Sequence, residues 1–289
     1  MGSARTIRRG EAGFPPRLAA ISDPPAWIRV RGELGEPGRL RVAVVGSRAV
    51  DGYGEEMARA IAAGLARAGV SVVSGGAQGV DGAAHEAALD AGGHTAAVLG
   101  TGLDVVYPAA HAPLFERIVA AGGALVSELE DGQPGGGWTF PRRNRIVAGL
   151  CEAVVVVRAA RGSGALITAD WARRQGAVLF AVPGDVTHPL SEGTVGLLRE
   201  GARPAAGAAD VLAALGRVGQ VELPLPGAGP KLDGDCAAVY AALGRSPRHA
   251  DEVARAAGLG PGPALAALLA LELDGLAEQR PGQRFLRRG

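Results

Sequence analysis

Short apolar runs alternate with alanine-rich stretches from residue 42 to residue 184 of this 289-residue chain. The runs are rich in Val, and each ends in Gly or a polar turn, whereas the stretches between them carry apolar residues at helical spacing. Continuous β-branched runs joined by helices are typical of parallel strands that are covered on both faces. The pattern therefore predicts a doubly wound, Rossmann-like α/β domain with a mostly parallel sheet over about residues 41–215.

Six strands and four helices are predicted in this region. The strands are at residues 42–46, 70–76, 95–100, 124–128, 153–157 and 178–184, and the helices are at 54–68, 81–91, 111–121 and 165–175. Ligands bind to sheets of this kind at the carboxyl ends of the strands. We therefore expect the binding residues in the loops that follow the strands.

The remaining segments have different compositions. Residues 1–40 are rich in Pro, which predicts an extended strap over the core rather than a separate domain. Residues 216–232 are dense in Gly and Pro without a helical period, which predicts a linker. Residues 233–289 hold three short helical stretches and a segment that suits a β wing, which predicts a small C-terminal winged-helix domain. Such a domain either contacts DNA or serves only as a packing module.

Charge and cysteine content exclude several classes of protein. The formal net charge is +1, which excludes a polybasic protein that holds nucleic acid by bulk charge alone. Two cysteines are too few for a disulfide framework, argue against a structural zinc site and favour a reducing, cytoplasmic compartment. The start of the chain has no apolar signal region, and no run of 18 apolar residues occurs, so no membrane partner is expected. We also expect no cofactor and no metal.

Glycine-rich strings follow the first two predicted strands and open helices. The backbone N–H groups of such turns form an anion site at a helix N-terminus, and an Arg there can bind a phosphate with two hydrogen bonds. Neither string is the dinucleotide-binding or the Walker fingerprint, so both kinds of nucleotide binding lose support. The candidate binding residues in these strings are Gly46, Ser47, Arg48, Ser74, Gly75, Gly76, Gln78 and Gly79.

Two further strings suggest loop or acid–base roles. Asp81 is predicted to be the N-cap of the helix that starts there. His85 lies four residues later, but no Ser or Cys nucleophile pattern accompanies this pair, so we expect no enzyme. Asp104 and Tyr107 follow the third strand and are expected to line the same crevice or to close a tight loop.

Residues 132–151 carry three arginines and no acid, although residues 42–215 as a whole hold 13 basic and 17 acidic side chains. Trp138 and Phe140 precede the arginines. Single-stranded nucleic acid stacks its bases on aromatic rings while cations bind its phosphates. A merely solvated arginine face is disfavoured, because three cations at a helix start oppose the helix dipole. The candidate DNA-binding residues here are Phe140, Arg142, Arg143, Asn144 and Arg145.

Six strings occur in one order: GSR at 46–48, SGGAQGVD at 74–81, GTGLDVVYP at 100–108, FPRRNRIVAGL at 140–150, SGALITA at 163–169 and AVPG at 181–184. With the Pro-rich lead-in, they resemble the DprA/Smf family of DNA-processing proteins over about residues 14–215. The tail resembles that family's winged-helix domain.

This resemblance implies a cytosolic, non-enzymatic protein of natural transformation and recombination that binds and protects incoming single-stranded DNA. It also implies a homodimer formed through the Rossmann-like domain and a role in loading the RecA recombinase; duplex DNA stays open as a further ligand. By the same resemblance, Arg48 and residues 140–145 face the DNA, and the loop at 74–79 shapes the floor of the pocket.

The chain departs from the family pattern in several places. We expect the family's N-terminal helical domain to be absent. Ala109 and residues 137–139 stand where many members carry Lys, and Val195 stands where the family usually has Asn in a G-T-N string. The usual number of cations is therefore in doubt, and Arg143 is expected to replace part of it.

Two other functions stay open at this point. One is a nucleotide-binding enzyme of similar shape, such as a phosphoribohydrolase with the signature P-G-G-x-G-T-x-x-E. Residues 134–139 imitate the first letters of that signature but lack the Gly-Thr step and the catalytic Glu. The other is a module that bridges proteins through its winged helix.

Overall fold

A computed structural model describes residues 4–36, 38–217, 232–244 and 247–287. They belong to two compact units, Met1–Glu222 and Leu223–Gly289. Of the linker predicted at 216–232, residues 218–231 lie outside the described residues.

The described part of the first unit builds a nine-stranded sheet. Its strands are β1 (Arg5–Arg8), β2 (Trp27–Gly32), β3 (Arg41–Val45), β4 (Ser71–Ser74), β5 (Thr95–Val98), β6 (Ala124–Ser127), β7 (Ala153–Val156), β8 (Val178–Ala181) and β9 (Arg203–Pro204). Its helices are α1 (Pro16–Ala19), α2 (Gly52–Arg67), α3 (Val80–Asp90), α4 (Ala112–Ala120), α5 (Thr139–Gly149), α6 (Gly164–Arg174), α7 (Glu192–Arg199) and α8 (Ala208–Ala214). Short 3₁₀ turns occupy Ala109–His111 and Pro189–Ser191.

The strand order is β1-β2-β6-β5-β4-β3-β7-β8-β9, and every pair from β6 to β9 is parallel. The chain order reverses at β3, which has β4 on one side and β7 on the other. All six predicted strands are present, and the predicted Rossmann-like, mostly parallel sheet is confirmed.

The core explains why the strands read as unbroken apolar runs. In β3, Val42 and Val44 pack on the face covered by α2, α3 and α8, whereas Ala43 and Val45 pack on the face covered by α1, α5 and α6. Both sets are buried, so neither face of the strand leaves room for a polar side chain.

Residues near the N-terminus differ from the expected strap, because they extend the sheet at its edge. Strand β2 pairs antiparallel with both β1 and β6. Ile28 and Val30 are fully buried, whereas the arginines that alternate with them lie partly exposed. This period-two alternation is the signature of a strand with one covered face.

The second unit has the predicted winged-helix fold. Its helices are α9 (Gly234–Ala242), α10 (Ala250–Ala257) and α11 (Pro261–Leu273), and its strands are β10 (Arg248–His249), β11 (Ala277–Arg280) and β12 (Arg284–Arg287). The strands form an antiparallel sheet in the order β10-β12-β11. Val239, Leu268 and Phe285 are fully buried between the helices and the wing.

Among the described residues, no single helix has the length and apolar character needed to cross a membrane. Helices α10 and α11 meet that criterion only when they are counted together across a bend of 106°.

Candidate nucleic-acid interface

A cavity of about 450 Å³ opens at the carboxyl edge of the sheet, beside the point where the strand order reverses. We call it the edge cavity. Its walls come from the loops after β3, β4 and β7 and from one side of α5. Six of the predicted binding residues line it, namely Gly46, Arg48, Gly75, Phe140, Arg143 and Asn144. The other seven, Ser47, Ser74, Gly76, Gln78, Gly79, Arg142 and Arg145, do not.

The loop after β3 presents Arg48 at the mouth of the cavity. Gly46 is needed for close packing, since a Cβ there would lie 2.6 Å from Val80 Cγ2. Ser47 is half-buried, and its hydroxyl donates to Ala49 O of the same loop over 2.8 Å. The exposed guanidinium of Arg48 lies 5.4 Å from the ring centroid of Phe140 and pairs with no described carboxylate. Arg48 therefore keeps its hydrogen-bond donors available for an anion.

The glycine-rich loop after β4 is held by Asp81. The carboxylate accepts hydrogen bonds from Gly75 N over 3.0 Å and from Ala77 N over 3.3 Å. The expectation that Asp81 is the N-cap of α3 is wrong, because Gly79 occupies that position and Asp81 reaches back to the loop instead. Burial raises the pKa of Asp81, against the opposing influence of the Arg143 guanidinium and the loop N–H groups.

Other predicted residues of this loop serve the loop itself. Ser74 is fully buried and donates to Val44 O over 2.7 Å. Gly76 and Gly79 have φ values of +70° and +77°, which few other residues adopt without strain. Gln78 is the exposed side chain of this loop.

Asp81 and His85 do not form an acid–base pair. His85 is fully buried, and its Nδ1 lies 2.7 Å from Thr95 Oγ1. Because Thr95 Oγ1 donates to Val72 O, His85 Nδ1 is the donor to Thr95. Burial, with the charges of His111 and Arg143, lowers the pKa of His85 to about 3. His85 is therefore a neutral core residue.

Arg143 forms part of the cavity wall from a buried position. Its guanidinium donates to the carbonyls of Gly75 and Val98, and its Nε donates to Asn144 Oδ1 over 3.3 Å. Burial lowers its pKa to about 10, although Asp81 acts in the opposite direction. The side chain stays charged at neutral pH and ties α5 to the loop after β4.

The structure does not place Arg145 where a phosphate could reach it. The side chain is 1% exposed, donating to Asp23 Oδ2 over 2.8 Å and to Glu128 Oε2 over 2.6 Å. The expectation that Arg145 faces DNA is therefore corrected: two carboxylates distant in sequence neutralise it. Arg142 differs, since its side chain is 53% exposed and its Nε lies 3.6 Å from Glu128 Oε1.

Aromatic side chains lie in and beside the wall of the cavity: Phe140 lines it, and Trp138 directly follows the lining residue Gly137. The ring centroids of Tyr107 and Phe140 are 5.1 Å apart, so Tyr107 lies beside the edge cavity, although it is not one of the residues that line it. Tyr107 is half exposed and Trp138 is 64% exposed, which leaves ring surface open to solvent. Asp104 closes the neighbouring loop by accepting a hydrogen bond from Gly132 N over 2.8 Å. Exposed rings beside an exposed guanidinium suit the bases and phosphates of a single strand.

Sequence reasoning missed the ion pair of buried Arg158 with half-buried Asp51, the residue that ends the loop after β3. Arg158 Nε and Nη2 donate to the two carboxylate oxygens of Asp51 over 3.1 and 2.6 Å. A signal did exist, because an Arg directly follows the apolar run of β7 at the edge where ligands bind. The partner could not be read from the sequence, since it lies 107 residues away. Within the described ranges, no group of three or more His, Cys, Asp or Glu could hold a metal ion.

The chain is a Rossmann-like α/β protein with a cavity at the carboxyl edge of its sheet and a C-terminal winged-helix unit. The chain matches the family model of DNA recombination-mediator protein A over residues 5–216 and that of the DprA winged helix domain over residues 224–283. The chain therefore belongs to the DprA/Smf family of DNA-processing proteins.

Individual relatives agree with this assignment. The DNA processing protein DprA of Mycobacterium tuberculosis is 45% identical over 283 residues, which cover 96% of this chain and 72% of that protein. The crystal structure of DprA from Streptococcus pneumoniae aligns with a TM-score of 0.68 and 40% identity, over 72% of this chain and 73% of that one. A third relative is DNA processing protein A from Helicobacter pylori, whose structure is described for its single-stranded DNA binding mode. It aligns with a TM-score of 0.65 and 28% identity, over 74% of this chain and 96% of that one.

Proposed function

We propose that this protein binds single-stranded DNA across the carboxyl edge of its sheet and performs no catalysis there. The observation that carries the proposal is the exposed, unpaired guanidinium of Arg48 next to the ring of Phe140 at the mouth of the edge cavity. A phosphate binds at Arg48 and another at Arg142, while bases stack on Phe140, Tyr107 and Trp138.

The energetics favour a single strand with little sequence preference. Stacking on an aromatic ring contributes roughly 1–3 kcal/mol per base, and every base offers a ring face. Arg143 adds positive potential from the wall without a direct contact. A duplex keeps its bases stacked on each other, so we expect it to bind more weakly.

The wider role rests on the family assignment and on the single-stranded DNA binding of the Helicobacter pylori relative. We infer that the protein acts in the cytoplasm as a homodimer in natural transformation and recombination. There it protects incoming strands and helps to load RecA. The family assignment also favours DNA processing over the nucleotide-cleaving alternative.

A titration of labelled oligo-dT and of matching duplex across salt concentrations tests the proposal. The Arg48→Ala, Arg142→Ala double variant should bind oligo-dT about a hundredfold more weakly at moderate salt, since each charged hydrogen bond that is lost costs roughly tenfold in affinity. The plot of log K against log salt should become less steep by about 1.4, since each phosphate contact contributes about 0.7 to its steepness on single strands.

The matched control is the Arg59→Ala, Arg117→Ala double variant, which also removes two cations but from the surface of α2 and α4. It should bind oligo-dT almost as the wild type does. Undiminished binding by the Arg48, Arg142 double variant would contradict the proposal. Sizing of the same samples tests the homodimer, and RecA filament assembly on oligo-dT with and without the protein tests loading.

A further inference from the structure

Arg158 is a buried arginine at the carboxyl end of β7 that lies outside the edge cavity. It is 4% exposed, and the described structure gives its guanidinium partners on three sides. Nε and Nη2 donate hydrogen bonds to the carboxylate of Asp51, and Nη1 donates to Ser191 Oγ. The centroid of the Tyr53 ring lies 4.6 Å from Cζ. The Arg158 guanidinium is almost completely buried, whereas its partner Asp51 is 28% exposed. Burying a charged group costs free energy even when it is paired, so the placement of Arg158 favours a role besides stability.

The pair holds both ends of the loop that carries Arg48. At the start of the loop, Ser47 N donates to the carbonyl of Arg158 over 2.8 Å. At the end of the loop, the side chain of Arg158 donates hydrogen bonds to Asp51. Asp51 is the N-cap residue of α2, and its carboxylate also accepts from Gly54 N over 2.8 Å. Arg48 lies between these two points, so one residue fixes the loop through its backbone and its side chain.

The same guanidinium joins this loop to the loop after β8. Ser191 belongs to that second loop, and the Tyr53 hydroxyl donates to Pro183 O over 2.7 Å.

Burial raises the pKa of Asp51, but the Arg158 fork and the Gly54 N–H outweigh it and hold that pKa below its usual value. The ion pair is therefore formed throughout the neutral range.

We propose that Arg158, through its ion pair with Asp51, is a positioning residue that sets the place of Arg48 at the mouth of the edge cavity. This rests on the proposed binding of single-stranded DNA. Arg158 touches no DNA; it acts because a flexible loop would have to be ordered on binding, which lowers affinity.

The test combines single variants with a double-mutant cycle, measured on the full chain with oligo-dT across salt. Arg158→Met should weaken binding roughly tenfold and make the plot of log K against log salt less steep by about 0.7. These are the losses expected from one missing phosphate contact, that of Arg48, since Arg158 itself makes none. In the Arg48→Ala background, the same substitution should have no further effect, because the residue it positions is already gone. Arg59→Met removes a cation and its ion pairs from the other side of α2, and should leave affinity and slope unchanged.

Asp51→Asn provides a second variant if Arg158→Met does not fold. Asn caps helices as well as Asp does, so the start of α2 is preserved while the charge of the pair is lost. It should weaken oligo-dT binding in the same direction, again only when Arg48 is present. Wild-type affinity in a folded Arg158 or Asp51 variant, or losses that add fully to those of Arg48→Ala, would overturn the inference. Failure of the wild type to bind oligo-dT would instead remove the proposed function.

Discussion

At the scale of single residues, three buried arginines show how one side-chain type is accommodated in different ways. Arg143 is paired mainly with backbone carbonyls, whereas Arg145 and Arg158 are paired with carboxylates. Since a guanidinium carries five N–H donors and no acceptor, each of the three needs acceptors close by. Only Arg48 and Arg142 of the predicted binding arginines are exposed.

Buried His85 gives the protein a pH-dependent stability. Its pKa is about 3 in the folded protein and about 6.5 in the unfolded chain, so the unfolded chain binds the proton first as the pH falls. The stabilisation is present above pH 6.5 and is lost from there towards pH 3. Between pH 7 and pH 5, this residue should lower the free energy of unfolding by about 2 kcal/mol.

Urea unfolding at both pH values checks this expectation. His85→Gln keeps a donor for Thr95 but does not titrate. Between pH 7 and pH 5, the free energy of unfolding of this variant should therefore fall by about 2 kcal/mol less than that of the wild type. An equal fall in wild type and variant would show that His85 does not carry the effect.

At the scale of elements, the turn between β4 and α3 locks two loops together. A Cβ on Gly79 would lie 2.4 Å from Ser47 O and 2.5 Å from Arg48 O, and φ there is +77°. The clash is with backbone atoms, which cannot rotate away as a flexible side chain could. The glycine-rich loop and the loop that carries Arg48 are thus packed as one surface.

Gly79→Ala should therefore lower the free energy of unfolding by about 3 kcal/mol, from backbone strain and the clash together. Gly69→Ala is the matched control, because φ is +75° and no atom lies within 4 Å of the new Cβ. It should cost about 1 kcal/mol from strain alone. Thermal and urea unfolding measure both; equal losses would mean that the contact with Ser47 and Arg48 relaxes freely.

At the scale of the whole molecule, every residue of the edge cavity belongs to the first of the two compact units. Each unit has its own core, with Phe285 central to the smaller one. Two separate cores imply that each unit can fold by itself.

A chain that ends at residue 222 should unfold cooperatively and keep the oligo-dT affinity of the full chain within about twofold, given the proposed function. Circular dichroism, thermal unfolding and the oligo-dT titration measure this. A large loss of affinity in the folded fragment would assign part of the DNA contact to the winged helix.

Much of the architecture was predictable because it depends on local patterns. Strands β3 to β8 are buried on both faces, so their sequences are mostly apolar whatever their neighbours are. The winged helix was predictable for the same reason, from three amphipathic stretches and a turn. Strand β2 was missed because its alternating arginines, together with the prolines before it, suit an extended strap. Its partner strand β6 is almost 100 residues later in the chain, so the pairing left no local signal.

The candidate site was predictable in its loops but not in its charges. The fold class, the family and the loops at the carboxyl edge follow from the sequence alone, since each depends on residues that are neighbours in the chain. Residues 132–151 contain no acid, yet Asp23 and Glu128 neutralise Arg145 from outside that segment. Which arginines face solvent depends on the packed structure, because burial and ion pairing involve residues far apart in the chain. Local net charge therefore predicted a cationic patch of three arginines, and folding left Arg142 as the exposed one, next to the separately predicted and exposed Arg48.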